Sequence, residues 1–230
     1  IRSRIYIIAL GLLSLILYLI LTGLSEEFIW GEGHSKRPIL QYLSIYFSLF
    51  VLYAFACLNV LKFTPAWDQK TFWTLVTFGL LFRCAILPSQ QIQEDDVYRY
   101  LWDGKVFARG INPFKFAPEE ISEYKYLKIQ KPIYFNSRYG EYDQKELAIL
   151  NNLKWENDTA LQFMERINHP NVPTIYPPLA QYIFLFSQKI NQDSLLTLRI
   201  LFLAFDLMGM VFIVLTLKSL NMNQNFSLVY

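Results

Sequence analysis

The chain is poor in charge and in cysteine, and both shortages argue against classes of protein. Only 17% of its 230 residues are charged, well below the roughly 25% typical of soluble domains. The two cysteines, Cys57 and Cys84, lie inside apolar stretches, which argues against a disulfide framework or a cysteine metal site. The basic residues form no stripe, and the net charge is only +2. Nucleic-acid binding therefore has no support.

Long apolar runs take the place of charge. A membrane-spanning helix needs about 20 apolar residues, and four runs meet or approach that length, while a fifth is shorter. Repeated runs of this kind predict an all-α, multi-pass membrane protein with about five spanning helices. The runs cover Ile5–Leu24, Ile39–Leu61, Thr71–Leu87, Pro177–Ile190 and Ser194–Leu217.

The basic residues beside these runs predict a topology. Cytoplasmic loops are enriched in lysine and arginine, so we expect the N-terminus to be cytoplasmic and helix 3 to lead outward. Helix 4 then returns and helix 5 leads outward again. The predicted parts are membrane helices 1–3 (1–87), an extracytoplasmic segment (88–176), and helices 4 and 5 with the start of another helix (177–230). We expect a piece of a longer protein that is inactive alone. The basic residues are Arg2, Arg4, Lys62, Lys70 and Lys189.

The extracytoplasmic segment has its own helical pattern. Residues 96–109 carry apolar side chains near helical spacing, and shorter helices are predicted over 144–153 and 158–167. Aromatic and basic residues share the flank of the first of these helices, a mixture that suits lipid headgroups. We therefore expect that helix to lie along the membrane surface. The residues of this flank are Tyr98, Leu101, Trp102, Lys105 and Arg109.

An acidic run, Glu94-Asp95-Asp96, follows the third apolar segment and has two interpretations. Acidic residues stabilise the first turn of a helix, and Arg99 stands four residues from both Asp95 and Asp103. The alternative is chemical. A carboxylate at the outer mouth of a membrane helix could accept a proton from an attacking hydroxyl or hold a divalent metal, while a cation such as Arg83 or Arg99 meets a phosphate.

A second motif runs from Asn168 to Gln181. Its four prolines restrict the backbone to rigid, extended conformations. That rigidity would hold His169, Thr174 and Tyr176 in fixed positions. The simpler interpretation is a stiff loop with a surface histidine.

Together these motifs resemble a known family. Glu94–Gly104 (EDDVYRYLWDG), Gly110–Phe114 (GINPF) and Thr174–Gln181 (TIYPPLAQ) are similar to segments of bacterial membrane glycosyltransferases of the GT-C superfamily. The nearest group is the mannosyltransferase-like proteins related to polyprenyl-phosphate-mannose-dependent enzymes. The resemblance covers most of residues 70–225, and the first two helices match only in hydropathy.

The resemblance implies a fold, a reaction and a site. It implies a GT-C-like helical membrane fold in the bacterial cytoplasmic (inner) membrane, with the active site on the extracytoplasmic face. A hexose such as mannose would pass from a polyprenyl-phosphate donor to a hydroxyl of a glycan or lipid acceptor, with inversion. The catalytic carboxylate would be Asp96 or Asp95, and we prefer Asp96 because it shares a helical face with Arg99 and Asp103. No cofactor is implied beyond a divalent cation that Asp95 and Asp96 could hold. The substrate-binding candidates are Arg83, Arg99, Asp103, Asn112, His169 and Tyr176.

Two other functions stay open on the sequence alone. A lipid or solute transporter, such as a flippase, would use Arg83, Arg199 and Asp206 as its polar path, since charged residues inside apolar helices often mark transport routes. An accessory subunit of a membrane complex would need none of this chemistry.

Overall fold

The computed structural model describes residues 2–29, 31, 36–63, 68–93 and 96–229. In these ranges the regular structure is helical, without a strand. The α-helices are α1 (Arg2–Ser25), α2 (Ile39–Phe63), α3 (Gln69–Ile86), α4 (Val97–Ala108), α5 (Pro118–Gln130), α6 (Pro132–Arg138), α7 (Glu141–Lys154), α8 (Asp158–Glu165), α9 (Pro178–Ile190) and α10 (Leu195–Ser219), and a 3-10 helix covers Gln224–Val229.

The chain forms two compact units. The first unit consists of Ile1–Ile92 and Phe202–Tyr230, and the second unit is Gln93–Leu201. The predicted boundaries at residues 87 and 176 remain a prediction about membrane and extracytoplasmic parts.

Within the described residues, three helices are long and apolar enough to cross a membrane: Ser3–Ser25, Ile39–Lys62 and Leu195–Ser219. Their length and composition indicate a membrane protein. The prediction of about five spans is reproduced only in part. The 18 residues of α3 and the 13 of α9 extend about 27 and 20 Å, against a hydrocarbon core of about 30 Å.

In the first unit α1 and α3 run parallel and in contact. The rings of Tyr18 and Phe82 stack with centroids 5.0 Å apart. Near the ends of both helices, Thr22 Oγ1 donates a hydrogen bond of 2.7 Å to the carbonyl oxygen of Ala85. Asp68 begins α3 by accepting the backbone N–H of Thr71 at 2.9 Å, which satisfies a helix N-terminal donor.

Helix α2 returns antiparallel to α1. Ser3, at the start of α1, donates to Asn59 Oδ1, near the end of α2, at 2.6 Å. At the other end, Leu21 of α1 packs with Tyr42 and Leu49 of α2. Hydrogen bonds between helices are useful in this setting because burial of apolar surface does not draw helices together in lipid.

The second unit has an ordinary buried core. Leu101 and Trp102 of α4 pack with Phe135 of α6 and with Leu147 and Leu150 of α7, and all five side chains are almost completely buried. Helix α4 contacts both α8 and α9, and α5 packs on α6 and α7.

The helix predicted over 96–109 is confirmed as α4, but the prediction for its flank is wrong. Tyr98, Leu101, Trp102 and Lys105 are buried in the protein instead of facing headgroups. Lys105 tolerates burial because its amine lies 2.7 Å from Asp193 Oδ2 and contacts a second carboxylate as well.

The two shorter predicted helices are present as α7 and α8, whereas α5 and α6 were not predicted. Both begin with a proline in the first turn, which is a recognised helix start. In α5, Glu120 accepts the backbone N–H of Ala117 at 2.8 Å. The Pro-Glu-Glu sequence at 118–120 was therefore an available signal for α5.

Candidate functional site

Asp96 stands at the N-terminus of α4 but does not cap it. Its side chain makes no hydrogen bond to the backbone of its own helix. Instead, Asp96 Oδ2 accepts a hydrogen bond of 2.6 Å from the hydroxyl of Tyr176. Asp96 is half-buried. The capping interpretation of the acidic run does not describe this carboxylate.

Tyr176 belongs to an aromatic group beside Asp96. Its ring meets Tyr100 edge-on at 4.7 Å between centroids, and Tyr100 stacks on Phe184 of α9 at 4.8 Å. Burial, and then the hydrogen bond to Asp96, raise the pKa of the Tyr176 phenol above its ordinary value. The phenol therefore stays protonated and keeps donating to Asp96.

Arg99 and Asp103, one turn apart on α4, form a buried pair. Arg99 Nε donates to Asp103 Oδ1 at 2.9 Å, which confirms the ion pair predicted from their spacing of four. Arg99 Nη2 also donates to the carbonyl oxygen of Val172 at 3.1 Å. The exposed fractions of the two residues are 6% and 2%. The pair therefore joins α4 to the proline-rich segment.

The carboxylate of Asp103 is further held by the motif that precedes and begins α9. Gln181 Nε2 donates to Asp103 Oδ2 at 3.2 Å and to Thr174 Oγ1 at 2.9 Å. Burial raises the pKa of Asp103 above its ordinary value, and Arg99, Thr174 and Gln181 act against that rise. We infer that Arg99 and Asp103 position α4; their predicted contact with substrate stays a prediction.

Glycine at position 104 lets α4 and α9 approach closely. A Cβ atom at Gly104 would lie 2.5 Å from the carbonyl oxygen of Phe184, inside any normal contact distance. Gln188 of α9 also donates to the carbonyl oxygen of Leu101 at 3.2 Å. The EDDVYRYLWDG and TIYPPLAQ motifs are thus packed against one another, although 69 residues lie between them in the sequence.

Two of the predicted substrate-binding residues are exposed. The side chain of Asn112 accepts the backbone N–H of Phe114 at 3.0 Å and so shapes the turn after α4. His169 has a positive φ of 50° and stands in the loop before Pro170. Within the described residues, no contact joins either side chain to Asp96. Their roles in substrate binding stay predictions.

Arg83, another predicted substrate-binding residue, belongs to the first unit. It forms an ion pair with Asp206 of α10 and donates to the carbonyl oxygen of Gly79 at 3.2 Å. Arg99, the other cation proposed for a phosphate, is paired with a carboxylate as well, and so is Lys105. A phosphate bound to any of the three would have to share or displace a carboxylate partner.

Asp95 and Glu94 lie outside the described residues, so the structure does not bear on the choice between Asp95 and Asp96. Across the part of the chain that is described, no group of three or more His, Cys, Asp or Glu side chains could hold a metal ion.

Sequence reasoning missed several residues of the site. Tyr100 follows Asp96 by one helical turn, so their spacing of four was a usable signal. Phe184, Gln188 and Gly104 meet across two helices, and no local pattern announces that contact. The same applies to the pairing of Lys105 with Asp193 across 88 residues.

No protein-family model matches this chain. Searches of curated proteins and of solved structures also find no significant match.

Proposed function

We propose that the protein is a membrane glycosyltransferase that moves a sugar, such as mannose, from a polyprenyl-phosphate donor to an acceptor hydroxyl. The observation that carries the proposal is the hydrogen bond of 2.6 Å between Tyr176 and Asp96. It joins two of the three motifs on which the family resemblance rests. It also leaves the Asp96 carboxylate half-exposed, where a substrate could reach it.

In this proposal Asp96 is the general base. Its carboxylate accepts the proton of the acceptor hydroxyl while that oxygen attacks the anomeric carbon. The bond from the anomeric carbon to the phosphate oxygen breaks on the opposite face, and the phosphate leaves with the electron pair. Tyr176 keeps its own proton and orients the carboxylate by its hydrogen bond. The configuration at the anomeric carbon is inverted.

The proposal places the enzyme in the bacterial cytoplasmic membrane, with the second unit on the extracytoplasmic face. Three apolar helices support the membrane location. Helix α3 is the third predicted span, and its parallel contacts with α1 support a crossing beside it. The fourth predicted span is α9. The donor, the acceptor and the multi-pass arrangement are parts of the proposal.

The test is sugar transfer by the full-length protein in proteoliposomes with a radiolabelled polyprenyl-phosphate mannose donor. Asp96→Asn should lower the rate by at least about 100-fold, since a positioned general base contributes 10²–10⁴-fold. Glu141→Gln is the matched control because Glu141 is an exposed acid at the start of α7 that contacts only Lys145 one turn later. A wild-type rate for Asp96→Asn would contradict the catalytic assignment.

A transporter is the second candidate, because one observation favours it. Arg83 and Asp206 form an ion pair between α3 and the apolar helix α10, and charges inside membrane helices often line transport routes. Reconstituted vesicles would show flux of a lipid-linked sugar without transfer, and Arg83→Gln would abolish it. Transfer activity that survives Arg83→Gln while Asp96→Asn removes it would favour the enzyme.

A further inference from the structure

Helix α9 buries its polar face and exposes an apolar one, the reverse of a helix in a water-soluble domain. Its polar residues Gln181, Ser187 and Gln188 are buried, with exposed fractions of 1%, 0% and 6%. Its opposite face carries an apolar stripe at helical spacing, and this stripe is exposed. We call the following four residues the α9 stripe: Leu179, Tyr182, Phe186 and Ile190, which are 51–71% exposed.

Both ends of α9 are attached to α4. Before its N-terminus, Tyr176 donates to Asp96 at the start of α4. After its C-terminus, Asp193 accepts from Lys105 near the end of α4 at 2.7 Å. Both ends of α9 are therefore held to α4, and the turn that follows α9 stays in contact with the second unit. A helix that crossed to the other side of a bilayer could not keep both attachments, since α4 itself is buried among α8 and α9.

The first unit independently gives the direction of α10. Ile7 near the start of α1, Val60 near the end of α2 and Leu75 near the start of α3 form one cluster. Phe226 and Leu228, which follow α10 in the chain, pack against that cluster. The end of α10 is thus at the same end of the first unit as the start of α1.

The number of crossings follows from these directions. Helix α1 leads away from this cluster, α2 returns to it, α3 leads away again, and α10 returns. Between α3 and α10 the chain must therefore start and finish on one side of the membrane. A crossing by α9 would make the total odd and place Phe226 and Leu228 at the wrong end.

We propose that the chain crosses the membrane four times, by α1, α2, α3 and α10, and that α9 stays on the outer side with its stripe seated in the lipid of the outer leaflet. The proposed occupant is lipid because only four residues separate the end of α9 from the start of α10, a spanning helix. The basic residues Arg4, Lys62, Lys70 and Lys218 then share the cytoplasmic side, as the positive-inside rule requires. In this topology α10, which is the predicted helix 5, leads inward to the cytoplasm and not outward as the sequence predicted. The inference holds whatever reaction the second unit carries out.

Cysteine labelling of the full-length protein tests the topology. In a Cys57→Ser/Cys84→Ser background, a membrane-impermeant maleimide is applied to intact cells. Asn191→Cys, after α9, should be labelled like Glu27→Cys in the α1–α2 loop. Lys70→Cys and Met222→Cys should be labelled only after permeabilisation. If Asn191→Cys, like Lys70→Cys, were labelled only after permeabilisation, α9 would cross the membrane and the proposal would be overturned.

Lipid contact by the stripe is tested by fluorescence quenching in nanodiscs. A fluorophore on Phe186→Cys should be quenched by brominated lipid to the same extent, within about twofold, as one on the lipid reference Leu12→Cys of α1. The aqueous reference Glu141→Cys should show no quenching. Absence of quenching at Phe186 would overturn the proposal, as would a disulfide formed between two copies at that position, because a second copy would then cover the stripe.

Discussion

The two units place similar apolar residues in opposite ways. In the first unit Leu40 and Phe47 point outward with exposed fractions of 78% and 67%, whereas Leu147 and Leu150 in the second unit are completely buried. Lipid accepts an apolar surface, so the helices of the first unit gain little from covering it. Water drives the same residues inward in the second unit. The difference teaches that the surrounding solvent, more than composition, decides which face of a helix is covered.

The two units also differ in how deeply their ion pairs are buried. An ion pair of the first unit, Arg83 with Asp206, has side chains that are 27% and 38% exposed. In the second unit the side chains of Arg99 and Asp103 are only 7% and 3% exposed. Helix α9 shares a feature with each unit. Its apolar face is exposed, as in the first unit, and its polar face is buried, as the charges of the second unit are.

Removing one charge of the buried pair should have the largest effect. Asp103→Leu leaves Arg99 buried without a carboxylate to balance its charge, and such a loss destabilises a protein by about 3–5 kcal/mol. Arg99→Met/Asp103→Leu should recover most of that stability because two apolar groups replace the pair. The measurement is the free energy of unfolding of the purified protein in detergent, followed by near-UV circular dichroism. A double variant no more stable than Asp103→Leu would contradict this account.

Gly104→Ala and Gly11→Ala should distinguish packing against a fixed backbone in the second unit from packing against a movable side chain in the first. The new methyl group at position 104 would meet a backbone atom of Phe184, which cannot move alone, whereas at position 11 it would meet the ring of Phe78, which can rotate. We expect a loss of about 1–3 kcal/mol for Gly104→Ala. For Gly11→Ala we expect less than about 1 kcal/mol, since alanine also favours the helix. Equal losses of unfolding free energy in the same assay would mean that the α4–α9 contact adjusts to a methyl group as easily as a side chain does, and would contradict this account.

Acid should weaken the second unit through Glu120. Burial alone raises the pKa of Glu120, but hydrogen bonds from Ala117, Tyr139 and Arg138 outweigh it, and the pKa lies below its ordinary value. This stabilisation is present above the unfolded-state pKa of about 4.3 and is lost as pH falls below it. Melting temperature should therefore fall between about pH 5 and about pH 3, less steeply in Glu120→Gln. An unchanged slope in that variant would exclude Glu120, with Glu141→Gln as the control.

The smallest effect is expected for a hydrogen bond between α1 and α3. Thr22→Val removes the bond to Ala85, and such bonds between membrane helices contribute about 0.6 kcal/mol on average. Thr216→Val is the matched control because the Thr216 hydroxyl donates to the carbonyl oxygen of Phe212 in its own helix. A loss for Thr22→Val above about 2 kcal/mol would show that polar contacts carry more of the first unit than we propose.

The sequence predicted the helices better than their surroundings. Apolar runs marked α1, α2, α3, α9 and α10 because composition alone decides whether a segment suits lipid. The pattern could not reveal that α9 keeps its polar side against α4, since this depends on Asp193 meeting Lys105 across 88 residues. Similarly, the acidic run indicated a site, but the choice between capping and chemistry depended on where Tyr176 lies.

The most direct test of the central claim is the transfer rate of four proteins: wild type, Asp96→Asn, Tyr176→Phe and the double variant, all with the same polyprenyl-phosphate mannose donor. Asp96→Asn should lose about 10²–10⁴-fold. Tyr176→Phe should lose on the order of tenfold or more, the effect of one hydrogen bond to a charged group. If Tyr176 acts through Asp96, the double variant should be no slower than Asp96→Asn. Full transfer by Asp96→Asn, or independent losses that multiply in the double variant, would contradict the claim.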